Sequence, residues 1–299
     1  MNLQLNLSQL HGWIILDKGM GCSSARAVSQ IKKLFGASKV GHAGTLDPLA
    51  TGVLPVALGE ATKTVNFIQG STKTYHFSIH WGEERDTGDA EGVIVGQDNY
   101  CPSSEQITKA CKLLTGNIMQ VPPAYSAIKV RGRRAYELAR KGEILSLQPR
   151  KVRINRFDLR STEGREKATF LVECGKGTYI RSLAHDLATN LGALGHVSAI
   201  RRERVGRMHI EQAISLEKLT QVVHSAAPRE VIYPVETALA DIPALPLTGD
   251  QAQRLRNGQA IRVNSVEKGT VCAMLNDGPV AVARIDGDQL HPIRVFNFN

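Results

Sequence analysis

Two short stretches carry residues whose types and spacing could do chemistry. The first is Gly41-His42-Ala43-Gly44-Thr45-Leu46-Asp47-Pro48-Leu49-Ala50-Thr51-Gly52-Val53-Leu54. Two glycines ahead of Asp47 allow a ligand to approach the backbone closely. Pro48 removes one backbone donor and biases Asp47 to an extended conformation. A carboxylate displayed this way can act as a nucleophile, a base or a metal ligand, and it can equally be a plain turn residue. The second stretch is Lys176-Gly177-Thr178-Tyr179-Ile180-Arg181, with a strand leading in and a helix leading out. Arg181 falls in the first helical turn, where a cation gains nothing from the macrodipole. That placement points to a specific anionic partner, or to an ordinary surface arginine.

Several common machines are absent. There is no GxxxxGK[ST] loop, and Gly59-Glu60-Ala61-Thr62-Lys63 only echoes one. Gly19-Met20-Gly21 lacks the third glycine of a dinucleotide fingerprint. Neither HExxH, HxE…PCxxC nor GxSxG occurs. The expected reaction uses no cofactor: neither ATP, nicotinamide nor metal.

These stretches must be positioned by the elements around them. Gly12 to Asp17 reads as a buried strand ending in a turn at Gly19 and Gly21. Ser23 or Ser24 caps a helix with Ala27, Val28, Ile31, Leu34 and Phe35 on its apolar face, stopped by Gly36. Gly41 to Gly59 has no clean period and reads as a long ordered loop, a kind more often functional than accidental. Thr74 to Trp81 alternates, with Tyr75, Phe77, Ile79 and Trp81 on one strand face and His76, Ser78 and His80 on the other. Gly82 to Gly92 reads as a charged loop. Ser103 and Gln106 form a capping box for a helix ending near Gly116. A strand over 168–174 precedes a helix that begins at Tyr179 or Ile180 and ends at Gly192. Composition shifts near Ile242 to Pro246, where a domain boundary is placed at about residue 240. Beyond it, short strands and the turns Asp277-Gly278 and Asp286-Gly287 read as a small all-β module.

The 299 residues suit one large body or two domains. Lys and Arg number 37 against 28 Asp and Glu, a formal +9, which favours a polyanionic partner and most simply nucleic acid. Basic residues concentrate over 129–141, around Tyr136, and at Arg201, Arg202, Arg204 and Arg207. The five cysteines are odd in number, widely spaced and without a CxxC pair, which suits separate thiols in a reducing compartment. No run is apolar enough for a membrane span, and Met1 to Leu10 lack the charge and apolar core of a secretory signal. The expected location is the cytoplasm.

At this point the residues carry a resemblance. GHAGTLDPLATGVLPVALGEATK, residues 41 to 63, resembles the signature of the tRNA pseudouridine synthase B family. Further blocks agree in order: KTY at 73–75, GDAEG at 88–92, PPAYSAIKVRG at 122–132, GKGTYIRSLAHDL at 175–187 and IRRERVG at 200–206. The resemblance runs from about Gly12 to Met208. It implies an α+β fold: a mixed, largely antiparallel sheet with flanking helices and a catalytic loop in a central cleft. It implies a catalytic domain over 1–240, with an RNA-contacting insertion at 122–150, and a small β-rich, PUA-like RNA-binding domain over 241–299.

The activity implied is isomerisation of uridine-55 in the T-loop of tRNA, moving the glycosidic bond from N1 to C5. Asp47 matches the family's essential aspartate, which would attack C6 of the base or C1′ of the ribose. Arg181 matches the arginine that pairs with it and would keep it ionised and aimed. Tyr75 and Tyr179 match pocket tyrosines that would stack on a flipped base, and Tyr75 would also stand near C5. Read on its own strand, Tyr75 is equally a core aromatic. His42 matches a histidine near the displaced base and is expected to contact RNA. Ile200 stands where leucine is usual and should line the uracil pocket. Asp89 and Lys129 match polar positions that would orient the nucleotide or Tyr75. The basic runs at 129–141 and 201–207 would contact phosphates. Glu84-Arg85, Gly175 and Met208 depart from the usual pattern. The expected partner is the tRNA T-arm, with neither a membrane nor an obligate protein partner. The competing readings are a non-catalytic tRNA-binding or folding factor and a guide-RNA-dependent relative acting on other RNAs. The short C-terminal module and the block at 122–141 favour a stand-alone enzyme.

Overall fold

The computed structural model describes residues 10–143, 145–224, 228–264 and 268–298. The expectation about a secretory signal therefore concerns residues that lie almost wholly outside the described ones. In chain order the elements begin β1 (Gly12–Lys18), α1 (Ser24–Phe35), β2 (Val40–His42), β3 (Thr51–Leu58), α2 (Val65–Gly70), β4 (Lys73–Trp81), β5 (Glu83–Arg85) and β6 (Ile94–Gln97). Next come α3 (Ser104–Leu113), β7 (Gly116–Gln120), β8 (Lys129–Val130), β9 (Arg133–Arg134), α4 (Ala135–Ala139), β10 (Arg150–Glu163), β11 (Lys167–Cys174), α5 (Ile180–Asn190) and β12 (Gly195–Val205). Then follow β13 (Met208–His209), β14 (Ile214–Ser215), α6 (Leu216–His224), β15 (Ala244–Pro246), α7 (Gly249–Arg256), β16 (Ile261–Arg262), β17 (Gly269–Leu275), β18 (Gly278–Asp286) and β19 (Gln289–Val295).

One large sheet runs in the order β14-β1-β3-β12-β4-β11-β10-β7, with β2 on β3 and β13 on β12. Only β1–β14 and β3–β12 are parallel, so the sheet is mixed and largely antiparallel, as expected. The alternation of β4 works as read: Tyr75, Phe77, Ile79 and Trp81 all enter one core. The apolar stripes of α1, α3 and α5 cover that face with Ile31, Phe35, Ile107, Leu183 and Leu187. Ser23 caps α1 by accepting the Arg26 amide, and Gly36 ends it in the left-handed region at φ 58°.

The long loop expected over 41–59 is a correction. Only the part from Ala43 to Ala50 lies between strands, and Thr51–Leu58 is β3. Its lack of alternation has a physical cause. Leu54, Val56 and Leu58 enter one core, while Val53 and Ala57 enter a second on the other face. A strand buried on both faces reads as a continuous apolar run.

The small sheet is ordered β15-β17-β18-β19-β16 and has a core of its own, including Leu255, Val271, Val280 and Leu290. Strictly it is not all-β, because α7 packs into that core through Ala252 and Leu255. Its signal was present in the sequence: Thr248 and Gln251 form a capping box. The hairpin turns also shift by one residue. Asn276 takes positive φ before β18, and Gly287 does so before β19.

The small sheet meets the large one through Cys272, Val282 and Phe296, which join Trp13, Ile15 and Val53 in the second core. The Gly59–Lys63 echo of a phosphate loop serves this contact. Lys63 Nζ donates to Glu60 Oε2 at 2.6 Å and to the Val295 carbonyl at 2.8 Å. Glu60 Oε2 also accepts the Asn297 amide at 2.7 Å.

Candidate active site

β12 runs parallel to β3 and lends Ile200 and Arg202 to the lining of a cleft. Gly52 and Arg202 are register partners, and a Cβ at Gly52 would come within 2.2 Å of the Arg202 carbonyl oxygen. Gly52 also has φ 98°, so this close approach requires glycine. On the other side of β12, Arg202 is the register partner of Tyr75 on β4. The open cleft above has a volume of about 1560 Å³. Asp47, Tyr75, Tyr179, Arg181, His42, Ile200 and Asp89 all line it.

Asp47 is held by its own loop, residue by residue. Arg202 is almost fully buried and donates to the carbonyls of Val53 (2.7 Å), Gly44 (2.9 Å) and Thr45 (3.4 Å). Ser24 Oγ accepts the Leu46 amide at 2.8 Å and donates to the Leu46 carbonyl at 2.9 Å. The carbonyl of Pro48 accepts from the Gly21 amide at 2.9 Å and from Lys18 Nζ at 3.3 Å. Lys18 is itself buried, donates to the Gly19 and Cys22 carbonyls, and has its ammonium pushed down by burial. Gly44, Thr45, Leu46 and Pro48 are therefore fixed around the one carboxylate they display.

That carboxylate meets Arg181. Nε of Arg181 lies 3.0 Å from Asp47 Oδ2 and 3.4 Å from Asp89 Oδ2. Its Nη1 donates to the Thr87 carbonyl and its Nη2 to the Tyr125 carbonyl, both at 2.8 Å. Arg181 and Asp89 are about 5% exposed, whereas the Asp47 side chain is 37% exposed. The anionic partner suggested by Arg181's position is thus a pair of carboxylates. Asp89 accepts from Thr87 Oγ1 and the Glu91 amide and holds Arg181. Nearby, burial and the Asp89 and Asp47 charges push the Glu91 carboxyl up.

Tyr75 belongs to the main core and to the cleft wall at once. Burial raises its phenol, which is neutral at neutral pH even with Arg202 beside it. Burial and the Arg202 charge both lower His42, so its imidazole is neutral. Tyr179 stands at the N-cap of α5, and Gln120 brackets its backbone, accepting the Tyr179 amide at 2.8 Å and donating to its carbonyl at 3.2 Å.

Lys129 is not brought to this cluster. It lies exposed on the β8–β9 hairpin, paired with Arg134, and does not line the cleft. The basic cluster at 201–207 is largely ion-paired within the protein. Arg201 pairs with Asp17, Arg204 with Glu173 and Arg207 with Asp241, while Arg202 serves the Asp47 loop. Strand alternation on β12 sends Arg202 inward between the half-buried Arg201 and Glu203. Sequence reasoning missed Lys18, Ser24, Gln120 and the inward role of Arg202. Their roles depend on strand register and on contacts between distant residues, for which the sequence carries no local signal.

Among the described residues, no group of three or more His, Cys, Asp or Glu is arranged to hold a metal ion. Nor is any described helix long and apolar enough to cross a membrane.

Comparison with known proteins agrees with this arrangement. Residues 32–180 match the model of the TruB family pseudouridylate synthase N-terminal domain. Residues 181–240 match the tRNA pseudouridylate synthase B C-terminal domain. A tRNA pseudouridine synthase B of Rhodospirillum rubrum is 45% identical over 298 residues, covering 96% of this chain and 97% of the relative. One of Bradyrhizobium diazoefficiens is 46% identical over 297 residues, covering 96% and 86%. Among solved structures, an H/ACA RNP bound to a substrate RNA containing 2'-deoxyuridine gives a TM-score of 0.75 at 25% identity, covering 99% of this chain and 88% of that one. A Cbf5-Nop10-Gar1 complex gives 0.76 at 26% identity, with the same coverage. With that identity held along nearly its whole length, this chain belongs to the TruB family of pseudouridylate synthases.

Proposed function

We propose that this chain is a stand-alone tRNA pseudouridine synthase that isomerises uridine-55 of the T-loop, with Asp47 as its nucleophile. The observation that carries the reading is the Asp47–Arg181 contact of 3.0 Å, inside a cleft walled by Tyr75 and Tyr179. A uridine within a folded T-loop must be extruded before an enzyme can reach its glycosidic bond. The cleft is large enough to take an extruded nucleotide with its flanking backbone.

The chemistry balances without an external reagent. A carboxylate oxygen of Asp47 attacks C1′ or C6, and the N1–C1′ bond breaks. The uracil turns within the pocket, and C5 bonds to C1′ as the aspartyl bond is released. C5 loses its proton, and N1 ends with one. Arg181 aims the attacking carboxylate, and Asp89 holds Arg181 in line. Tyr75, a neutral phenol, offers a stacking face and a hydrogen-bond donor. Tyr179 and Ile200 wall the pocket, and His42 contacts the RNA as a neutral ring. The segment 122–150 contacts the T-arm and reorders on it, and the small sheet over 241–299 forms the second RNA-binding module.

The competing reading of a guide-dependent subunit draws on the H/ACA neighbours. The stand-alone reading is favoured by 45–46% identity to enzymes named for tRNA, against 25–26% to those complexes. The purified chain alone should convert the target uridine of an isolated T-arm hairpin, read by carbodiimide-dependent primer-extension stops. Tight hairpin binding without any stop would instead support a binding factor.

A further inference from the structure

Among the described residues, Arg150 is the one arginine of the cleft with buried side-chain donors that find no acceptor. Arg181 and Arg202 each place Nε, Nη1 and Nη2 on named oxygens. Arg150 also lines the cleft, yet its Nε and Nη2 are buried without a hydrogen-bond partner. Among the described residues no carboxylate forms an ion pair with it. A guanidinium has five N–H donors, and leaving them unmet in a partly buried place is unfavourable.

The side chain is nonetheless built into position. Arg150 opens β10 directly opposite Gln120 of β7. Gln120 is the buried residue that brackets the Tyr179 backbone. The Arg150 guanidinium lies over the Tyr179 ring, 5.0 Å from its centre. The cation–π contact accounts for the stacking. It does not use the in-plane N–H groups: Nη1 is not among the buried atoms and is the first to meet an anion, and a small turn of the side chain on the ring would bring the buried Nε or Nη2 to it. Lys151 and Lys176 line the same cleft.

We infer that Arg150, stacked on Tyr179, is a preassembled phosphate seat that takes an RNA phosphodiester next to the extruded uridine. The inference rests on the proposed function and deepens it. The planar fork of a guanidinium suits two oxygens of one phosphate, a match that a lysine ammonium lacks. The seat lies beside the ring proposed to wall the uracil pocket, so a phosphate held there would fix where the extruded nucleotide leaves the RNA backbone.

The test uses T-arm hairpins carrying a single neutral methylphosphonate at each linkage around the target uridine. Binding and single-turnover conversion are measured for the full chain, Arg150→Lys and Arg150→Met. The wild type should lose affinity about tenfold at one linkage adjacent to the uridine, as expected for a charge-assisted contact. Arg150→Met should bind the unmodified hairpin about that weakly and lose nothing more at that linkage. Arg150→Lys should fall between them, because it keeps the charge but not the fork. The salt dependence of binding should drop by close to one phosphate contact in Arg150→Met. The scan on the wild type stands even if Arg150→Met fails to fold.

Equal sensitivity of wild type and Arg150→Met to every linkage would overturn the seat. So would a fall in conversion rate at unchanged affinity, which would make Arg150 a positioning residue for Tyr179. Arg150-dependent competition by inorganic phosphate, without any linkage effect, would mean that the seat takes a free anion and would overturn the RNA assignment. A linkage effect without uridine conversion would uphold the seat and defeat the proposed function, so the two failures are distinguishable.

Discussion

Arg202 and Tyr75 stand opposite one another on β12 and β4, and the Arg202 guanidinium lies 6.0 Å from the centre of the Tyr75 ring. The same guanidinium holds three carbonyls of the segment that carries Asp47. One buried cation therefore couples a proposed stacking residue to the proposed nucleophile loop. Arg202→Met leaves those carbonyls unpaired in the interior and should destabilise the protein by on the order of 3 kcal/mol. Urea unfolding should report that loss. Conversion by the fraction that stays folded should fall as well, and unchanged stability would contradict the account.

Ser24 offers a gentler probe of the same loop. Its hydroxyl makes both hydrogen bonds to Leu46, the residue before Asp47. Ser24→Ala should cost about 1–3 kcal/mol of stability. A small misplacement of a reacting group can lower a rate about 100-fold. The expected result is a lower single-turnover rate at unchanged tRNA affinity, measured in parallel. An unaltered rate would show that the loop is held well enough without this clamp.

The local sequence of Asp47 and Arg181 marked both positions without assigning either a role. Local sequence left Asp47 a reactive carboxylate or a turn residue and Arg181 an anion's mate or a surface arginine; the resemblance paired them, and they lie 3.0 Å apart. Tyr75 was legible from strand alternation and then, by resemblance, as a pocket residue. Arg202 was legible only as one of a basic cluster. Its role depends on facing Tyr75 across a sequence separation that only strand pairing closes. β3 was read as loop because both of its faces are buried, which erases the alternation that marks a half-exposed strand. The helix α7 was missed although its capping box was present, because the surrounding turn signals outweighed it.

Lys73 gives a pH prediction. It is buried beside the cleft, donates to the Gln69 and Ser71 carbonyls, and has its ammonium lowered to about 8 by burial and the Arg202 charge. Its ordinary value is 10.5. Between those values the unfolded chain holds a proton that the folded chain has released. Stability contributed through Lys73 therefore rises with pH from about 8 to 10.5 and is flat below that window. Lys73→Met removes this rise. Urea midpoints at pH 7.5 and 9.5 should shift in favour of the wild type, relative to the variant, at the higher pH. A constant difference would contradict the assignment.

The cysteines give a second, independent prediction. Burial pushes Cys111 up to about 12 and Cys174 and Cys272 up to about 11. Cys22 and Cys101 are only half-buried. Reaction depends on thiolate fraction and access. A chromogenic disulfide should label Cys22 and Cys101 in the native protein and reach the other three only on unfolding. Rapid labelling of Cys174 in the folded protein would contradict the packing of β11.

The most direct test of the whole account is tritium release from C5-labelled uridine in an unmodified tRNA transcript, comparing wild type with Asp47→Asn. The variant keeps the size of the side chain and the loop that displays it, but not the nucleophilic carboxylate. The account predicts release by the wild type, none by Asp47→Asn, and tRNA binding by both. Release by Asp47→Asn at the wild-type rate would remove Asp47 from the mechanism.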